Sequence, residues 1–178
     1  CYMRLKSVLK RLEKEPELLR QYDNIFQEQL KQGIIEEAPT VSEKELVHYL
    51  PHHPVITKNK ATTKVRIVYD ASAKASKTAQ SLNDCLYRGP VLLPDLFGCL
   101  FRFRTYPIGI VADIEKAFLQ IGLHTKDREV TRFLWSKELQ KGLSIDNLRT
   151  FRFKRVAFGV ISSPFLLNAI VANHLITS

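Results

Sequence analysis

Apolar residues recur at helical spacing at the start of the chain. Leu5, Val8, Leu9 and Leu12 share one face, and after Pro16 the same period resumes with Leu19, Tyr22, Phe26 and Leu30. Pro16 suits the first turn of a second helix and Gly33 reads as its stop, so the spacing predicts two helices within residues 4–32. The charges between the apolar positions form a solvated face, which makes this a packing element. From Val55 to Asp70 the period changes. "VITKNKATTKVRIVYD" holds two β-rich runs around a lysine-rich tip, a β-hairpin in which Lys64 and Arg66 share one face and Val65, Ile67 and Tyr69 take the other.

Farther along, residues 71–90 form a polar connection, and Pro90, Pro94 and Gly98 bracket a short helix or turn. Ile108 to Ala112 reads as a buried strand, Thr131 to Trp135 as another, and Phe151 to Val156 as a third with basic residues interleaved. Ser163 and Pro164 make an N-cap and N1 pair for a helix through "FLLNAIVANHL". Neither a repeat nor a low-complexity tract interrupts this order.

Composition adds that the chain folds: 178 residues, 45% apolar and 25% charged, suffice for one domain or two lobes around a core. The net charge of +9 is uneven, because residues 1–40 balance while 51–80 and 101–178 carry the excess. Such an excess favours a polyanionic partner. The three cysteines, Cys1, Cys85 and Cys99, lack a CxxC spacing, so neither a disulfide framework nor a zinc site is expected. None of the five histidines sits in a metal-ligand spacing. Apolar runs fall short of the roughly 18 residues of a membrane span, and the reading is a soluble chain with no membrane partner. The first residue is Cys, and the last segment stops within a helical pattern. Both suggest a piece of a longer chain.

Asp113 ends the apolar run at 108–112 and, taken alone, reads as a helix N-cap. Its neighbours change the weighing. The segments "TKVRIVYDASAK", "SLNDCLYRGPVLLPDLFGCLFRFR", "VADIEKAF" and "VAFGVISSPFLLNA" together resemble, in order and spacing, a reverse transcriptase of the Pao/BEL group of LTR retrotransposons. The resemblance covers nearly the whole chain.

That resemblance implies an α+β fold, the fingers and palm of a right-hand polymerase, truncated before the Tyr-x-Asp-Asp hairpin. Residues 1–50 would be an N-terminal helical segment, 51–105 mostly fingers, and 106–178 an incomplete palm with a fingers-like portion. The implied function is that of a fragment of an RNA-directed DNA polymerase from a Pol polyprotein, a nucleotidyltransferase working by two-metal transfer in the complete enzyme. The alternative is a noncatalytic remnant that binds nucleic acid. Two Mg²⁺ ions, with Mn²⁺ as a substitute, would serve the complete enzyme. Asp113 would be the catalytic carboxylate and a metal ligand, with the Ile114 carbonyl as a further ligand.

By the same resemblance Lys64 and Arg66 hold the nucleotide triphosphate, and Phe118 is an aromatic gate against the ribose 2′-hydroxyl. Phe158 and Gly159 stand where retroviral relatives have Gln-Gly, leaving a backbone role near the nucleotide for Gly159. Lys58, Lys60, Arg152, Lys154 and Arg155 would contact nucleic acid through its phosphates. The implied partners are an RNA template, a DNA primer, deoxynucleoside triphosphates and the remainder of the Pol polyprotein. The implied location is the cytoplasm, including virus-like particles of the element. The chain contains no Asp-Asp pair, and its last aspartate is Asp146. The segment alone is therefore expected to be inactive.

Overall fold

The computed structural model describes residues 1–40, 46–58 and 63–177; the side chains of 58, 63 and 64 fall outside the description. The two expected helices form as α1 (Tyr2–Leu12) and α2 (Pro16–Lys31), with Pro16 in the first turn of α2 and Gly33, at φ 66°, just past its end. They bury Leu5, Val8, Leu9 and Leu12 from α1 and Leu18, Tyr22 and Phe26 from α2. The hairpin forms as β2 (His52–Lys58) antiparallel to β3 (Thr63–Tyr69). Arg66 is exposed and Tyr69 is buried, as strand alternation requires.

A second sheet has the order β1-β5-β4, from β1 (Ile35–Glu37), β5 (Leu148–Phe153) and β4 (Arg132–Ser136), all antiparallel. The fold is thus α+β with two small sheets. Its core gathers Tyr22, Phe26, Leu50, Tyr69, Phe133, Trp135, Phe151 and Phe153, which brings α2, the hairpin and the second sheet onto one set of aromatic contacts. Phe26 lies against Trp135 at 4.8 Å and Phe133 at 5.4 Å.

The structure departs from the sequence expectation at two places in the fold. Residues 108–112 join no ladder, and Ile108, Ile110 and Val111 are 79%, 85% and 84% exposed. The apolar run is there, but a strand exists only beside a partner, and none of the described strands borders it. The preceding helix α4 (Leu96–Thr105), capped by Asp95 accepting the Gly98 N–H, likewise buries no residue. The second correction is Ser163, which lies inside α5 (Ser163–Thr177); its hydroxyl donates to the Ala157 carbonyl at 2.8 Å rather than capping the helix. The Leu166 N–H bonds the Ser162 carbonyl one residue earlier.

His52, 3% exposed, ties three elements together. Its Nε2 lies 2.9 Å from the Leu134 carbonyl, which can only accept, so Nε2 carries the proton and Nδ1 accepts from the Tyr22 hydroxyl at 2.6 Å. Burial pushes the imidazole pKa down from 6.5 to about 4, outweighing the Leu134 hydrogen bond, which raises it; the charge on His53 lowers it further. Between those two values the unfolded chain binds the extra proton and the folded chain does not, so stability falls as pH drops from about 6.5 to about 4. The expected loss is about 3 kcal/mol, with no further loss from this group below about pH 4. Urea titrations at about pH 7 and about pH 4.5 measure it. His52→Phe, less stable than the parent at neutral pH, should show a flatter dependence; an equal slope in both proteins would remove His52 as the cause.

Candidate functional site

The hairpin, the 3₁₀ turn Ala117–Gln120 and the loop at 156–162 supply Lys58, Lys64, Arg66, Phe118, Phe158 and Gly159, whereas Asp113 and Ile114 precede the 3₁₀ turn and Arg152, Lys154 and Arg155 lie in or just after β5. On the hairpin, Arg66 stands exposed opposite Val55. The side chains of Lys58 and Lys64, and the whole of Lys60, lie outside the described residues.

Phe118 sits in the 3₁₀ turn, which follows Lys116 in the left-handed region at φ 50°. Its ring meets the ring of Phe158 edge to face, with centroids 4.9 Å apart and planes at 71°. The two candidate aromatics, far apart in sequence, are brought together. Gly159 comes next at φ +87°, and a Cβ there would lie 2.6 Å from the Tyr69 carbonyl oxygen, so only glycine fits against the end of β3.

Asp113 has another setting. It lies on the exposed stretch 108–116 and makes no hydrogen bond or ion pair among the described residues. The expected alternative for it, an N-cap, is not its role: the next helical turn, Ala117–Gln120, has Lys116 as its N-cap. Ile114 is 53% exposed, and Glu115 and Lys116 form an open pair at 3.8 Å. Among the described residues, no group of three or more His, Cys, Asp or Glu side chains could hold a metal ion. Asp113 and the Ile114 carbonyl do not by themselves fit a pair of divalent ions, whose charge calls for several hard oxygen ligands.

Arg152 is the third correction. Its side chain is 12% exposed, and it pairs with Glu36 at 2.8 Å and with Glu129. Glu129 also pairs with Arg132, which is 2% exposed, and Glu36 also takes Arg128 at 3.1 Å. Burial raises the Glu36 pKa, but the hydrogen bonds and charges of Arg128 and Arg152 outweigh that and leave it lowered. The Arg152 guanidinium is committed to this network and is not free for phosphate. Arg155 is half-buried and donates to the Gln120 carbonyl at 3.2 Å, whereas half-buried Lys154 has no side-chain partner among the described residues.

Asn83 carries no signal of its own in the sequence. Its Nδ2 donates to the Ser72 hydroxyl at 2.9 Å and to the Gly159 carbonyl at 3.0 Å, and its Oδ1 accepts the Ile161 N–H at 2.9 Å. The short helix α3 (Leu82–Cys85) that carries it is fixed by a reciprocal capping box between Ser81 and Asp84. The hydrogen bond from Lys74, then those from Ser81, hold the Asp84 carboxyl down to a pKa of about 2. The Ser-x-x-Asp spacing is the signal that could have found this element.

No family model matches the chain, and no curated protein matches it. Among solved structures it is similar to a foamy viral protease-reverse transcriptase in complex with double-stranded DNA, at 20% identity and a TM-score of 0.47. That alignment covers 88% of this chain and 22% of the other, so the chain spans a small part of that structure's length. Agreement at this level identifies no family and bears no weight in assigning a function.

Proposed function

We propose that this chain supplies the fingers and part of the palm of an RNA-directed DNA polymerase of the Pao/BEL retrotransposon type, as one segment of a Pol polyprotein. One observation carries the reading: Phe118 and Phe158 form an aromatic wall at 4.9 Å, next to Gly159 packed on the carbonyl that closes the basic hairpin. Phe118 and Phe158, which two separate sequence motifs mark, are in ring contact.

On this reading the Phe118 ring stands where a ribose 2′-hydroxyl would need room, and the Gly159 backbone lies along the bound deoxynucleoside triphosphate. Arg66 offers a planar set of donors to its phosphates and Lys64 a compact charge. Asp113 is one carboxylate of a site for Mg²⁺ that needs further acids, and Ile114 a backbone ligand beside it. The residues present do not complete such a site among the described residues. An RNA template and DNA primer are the proposed partners, in the cytoplasm or in particles of the element.

The test is sugar selection. In a polymerase that contains this segment, Phe118→Ala is expected to raise the ratio of ribo- to deoxynucleotide kcat/KM by about tenfold or more. An unchanged ratio would leave Phe118 as a ring that merely packs on Phe158.

A second expectation concerns the chain itself. Its charge of +9 should give weak binding to RNA or DNA without sequence preference, and log K should fall linearly with log salt. Lys154→Ala and Arg155→Ala should make that slope shallower, whereas Arg152→Ala should act on stability instead. No binding in low salt by a folded sample would contradict this.

A further inference from the structure

We infer that Asn83 is a positioning residue for the proposed nucleotide wall, holding Phe158 against Phe118 through the loop that joins β5 to α5; the inference rests on the polymerase function proposed for the chain. The amide is used at every point that matters. The Gly159 carbonyl can only accept and the Ile161 N–H can only donate, so the orientation of the Asn83 side chain is fixed by its partners. Its second N–H goes to the Ser72 hydroxyl, and its backbone N–H to the Ala71 carbonyl at 3.0 Å. One side chain thus joins the segment after β3 to the loop before α5.

The loop is gripped from two sides. Gly159 cannot move toward β3, because the Tyr69 carbonyl fills the space where a Cβ would stand. It is held on its carbonyl by Asn83, and Ile161 is held on its N–H by the same side chain. Phe158 immediately precedes this anchored pair and is 49% exposed as a residue, so the loop backbone does more than burial to fix its direction. Asn83 in turn cannot drift, because Ser81 and Asp84 cap α3 reciprocally at 2.9 and 3.2 Å and Lys74 pairs with Asp84 at 2.8 Å.

Asn83→Asp is nearly isosteric. It keeps an acceptor for the Ile161 N–H but sets a second carboxylate oxygen against the Gly159 carbonyl, where a donor stood. The experiment is a nuclear Overhauser measurement between the Phe118 and Phe158 rings in residues 1–178. The contact should be present in the parent and lost in Asn83→Asp, while the buried Trp135 indole resonance stays in place. Asn83→Ser, which shortens the reach without adding charge, should give the same loss if the aspartate variant does not fold. Ser72→Ala, which spares the Gly159 and Ile161 bonds, should retain the contact. A ring contact that persists in both Asn83 variants would overturn the inference. Sugar selection separates it from the function proposed: an unchanged ribo- to deoxynucleotide ratio in Phe118→Ala of a polymerase containing this segment would count against the nucleotide reading, while loss of the ring contact in the Asn83 variants would still establish the positioning role.

Discussion

Glu129→Ala is expected to destabilise the fold by about 3–5 kcal/mol. Glu129 is 7% exposed and faces two guanidiniums, Arg132 at 2% exposed and Arg152. Arg152 keeps Glu36 when Glu129 is removed, but Arg132 loses the only carboxylate it pairs with among the described residues and remains a buried charge. The penalty is that of the stranded partner rather than of the pair. Replacing both groups, as Glu129→Met with Arg132→Met, should therefore recover much of the loss, since an apolar pair of similar volume costs little. The single tryptophan, Trp135, is 1% exposed in the core, so its fluorescence reads the urea transition directly. A loss below about 1 kcal/mol would place the network among solvated surface pairs.

Arg152 also marks a limit of sequence reading. In β5, Phe151 and Phe153 are buried and Arg152 takes the other face, as alternation predicts, but that face is covered by Glu36 and Glu129 from distant segments. Strand period gives the side a residue takes and not what lies there. The helices α1 and α2 and the hairpin were legible because each carries a full apolar face of its own. The strand β1 was not, because Ile35–Glu37 has three residues and owes its conformation to pairing with Phe151–Phe153.

The run at 108–112 shows the reverse error. Its composition is that of a buried strand, yet burial needs a neighbour, and periodicity alone cannot supply one. Within the candidate site, Phe118, Phe158 and Gly159 each came from motif resemblance, but their contact depends on how the 3₁₀ turn and the 156–162 loop fold. Asn83 was readable only in part: the capping box announces a short helix, whereas the three side-chain bonds to Ser72, Gly159 and Ile161 are purely tertiary.

The second large effect concerns synthesis. Two-ion chemistry requires several carboxylates around closely spaced divalent charges, and Asp113 stands among the described residues with no acid cluster beside it. Residues 1–178 are therefore expected to give no extension of a primed poly(rA) template. A longer polymerase that joins this segment to a Tyr-x-Asp-Asp hairpin and a thumb should extend it. Asp113 makes no hydrogen bond or ion pair among the described residues, so its loss should not disturb folding. The change to asparagine is nearly isosteric and removes only the charge.

Primer extension by that longer polymerase with Asp113→Asn is the most direct measurement. Synthesis is predicted to be abolished while the thermal transition and the affinity for primer–template stay those of the parent. Synthesis at the parental rate would contradict the placement of Asp113 at the reaction centre and, with it, the reading of this chain as part of a polymerase.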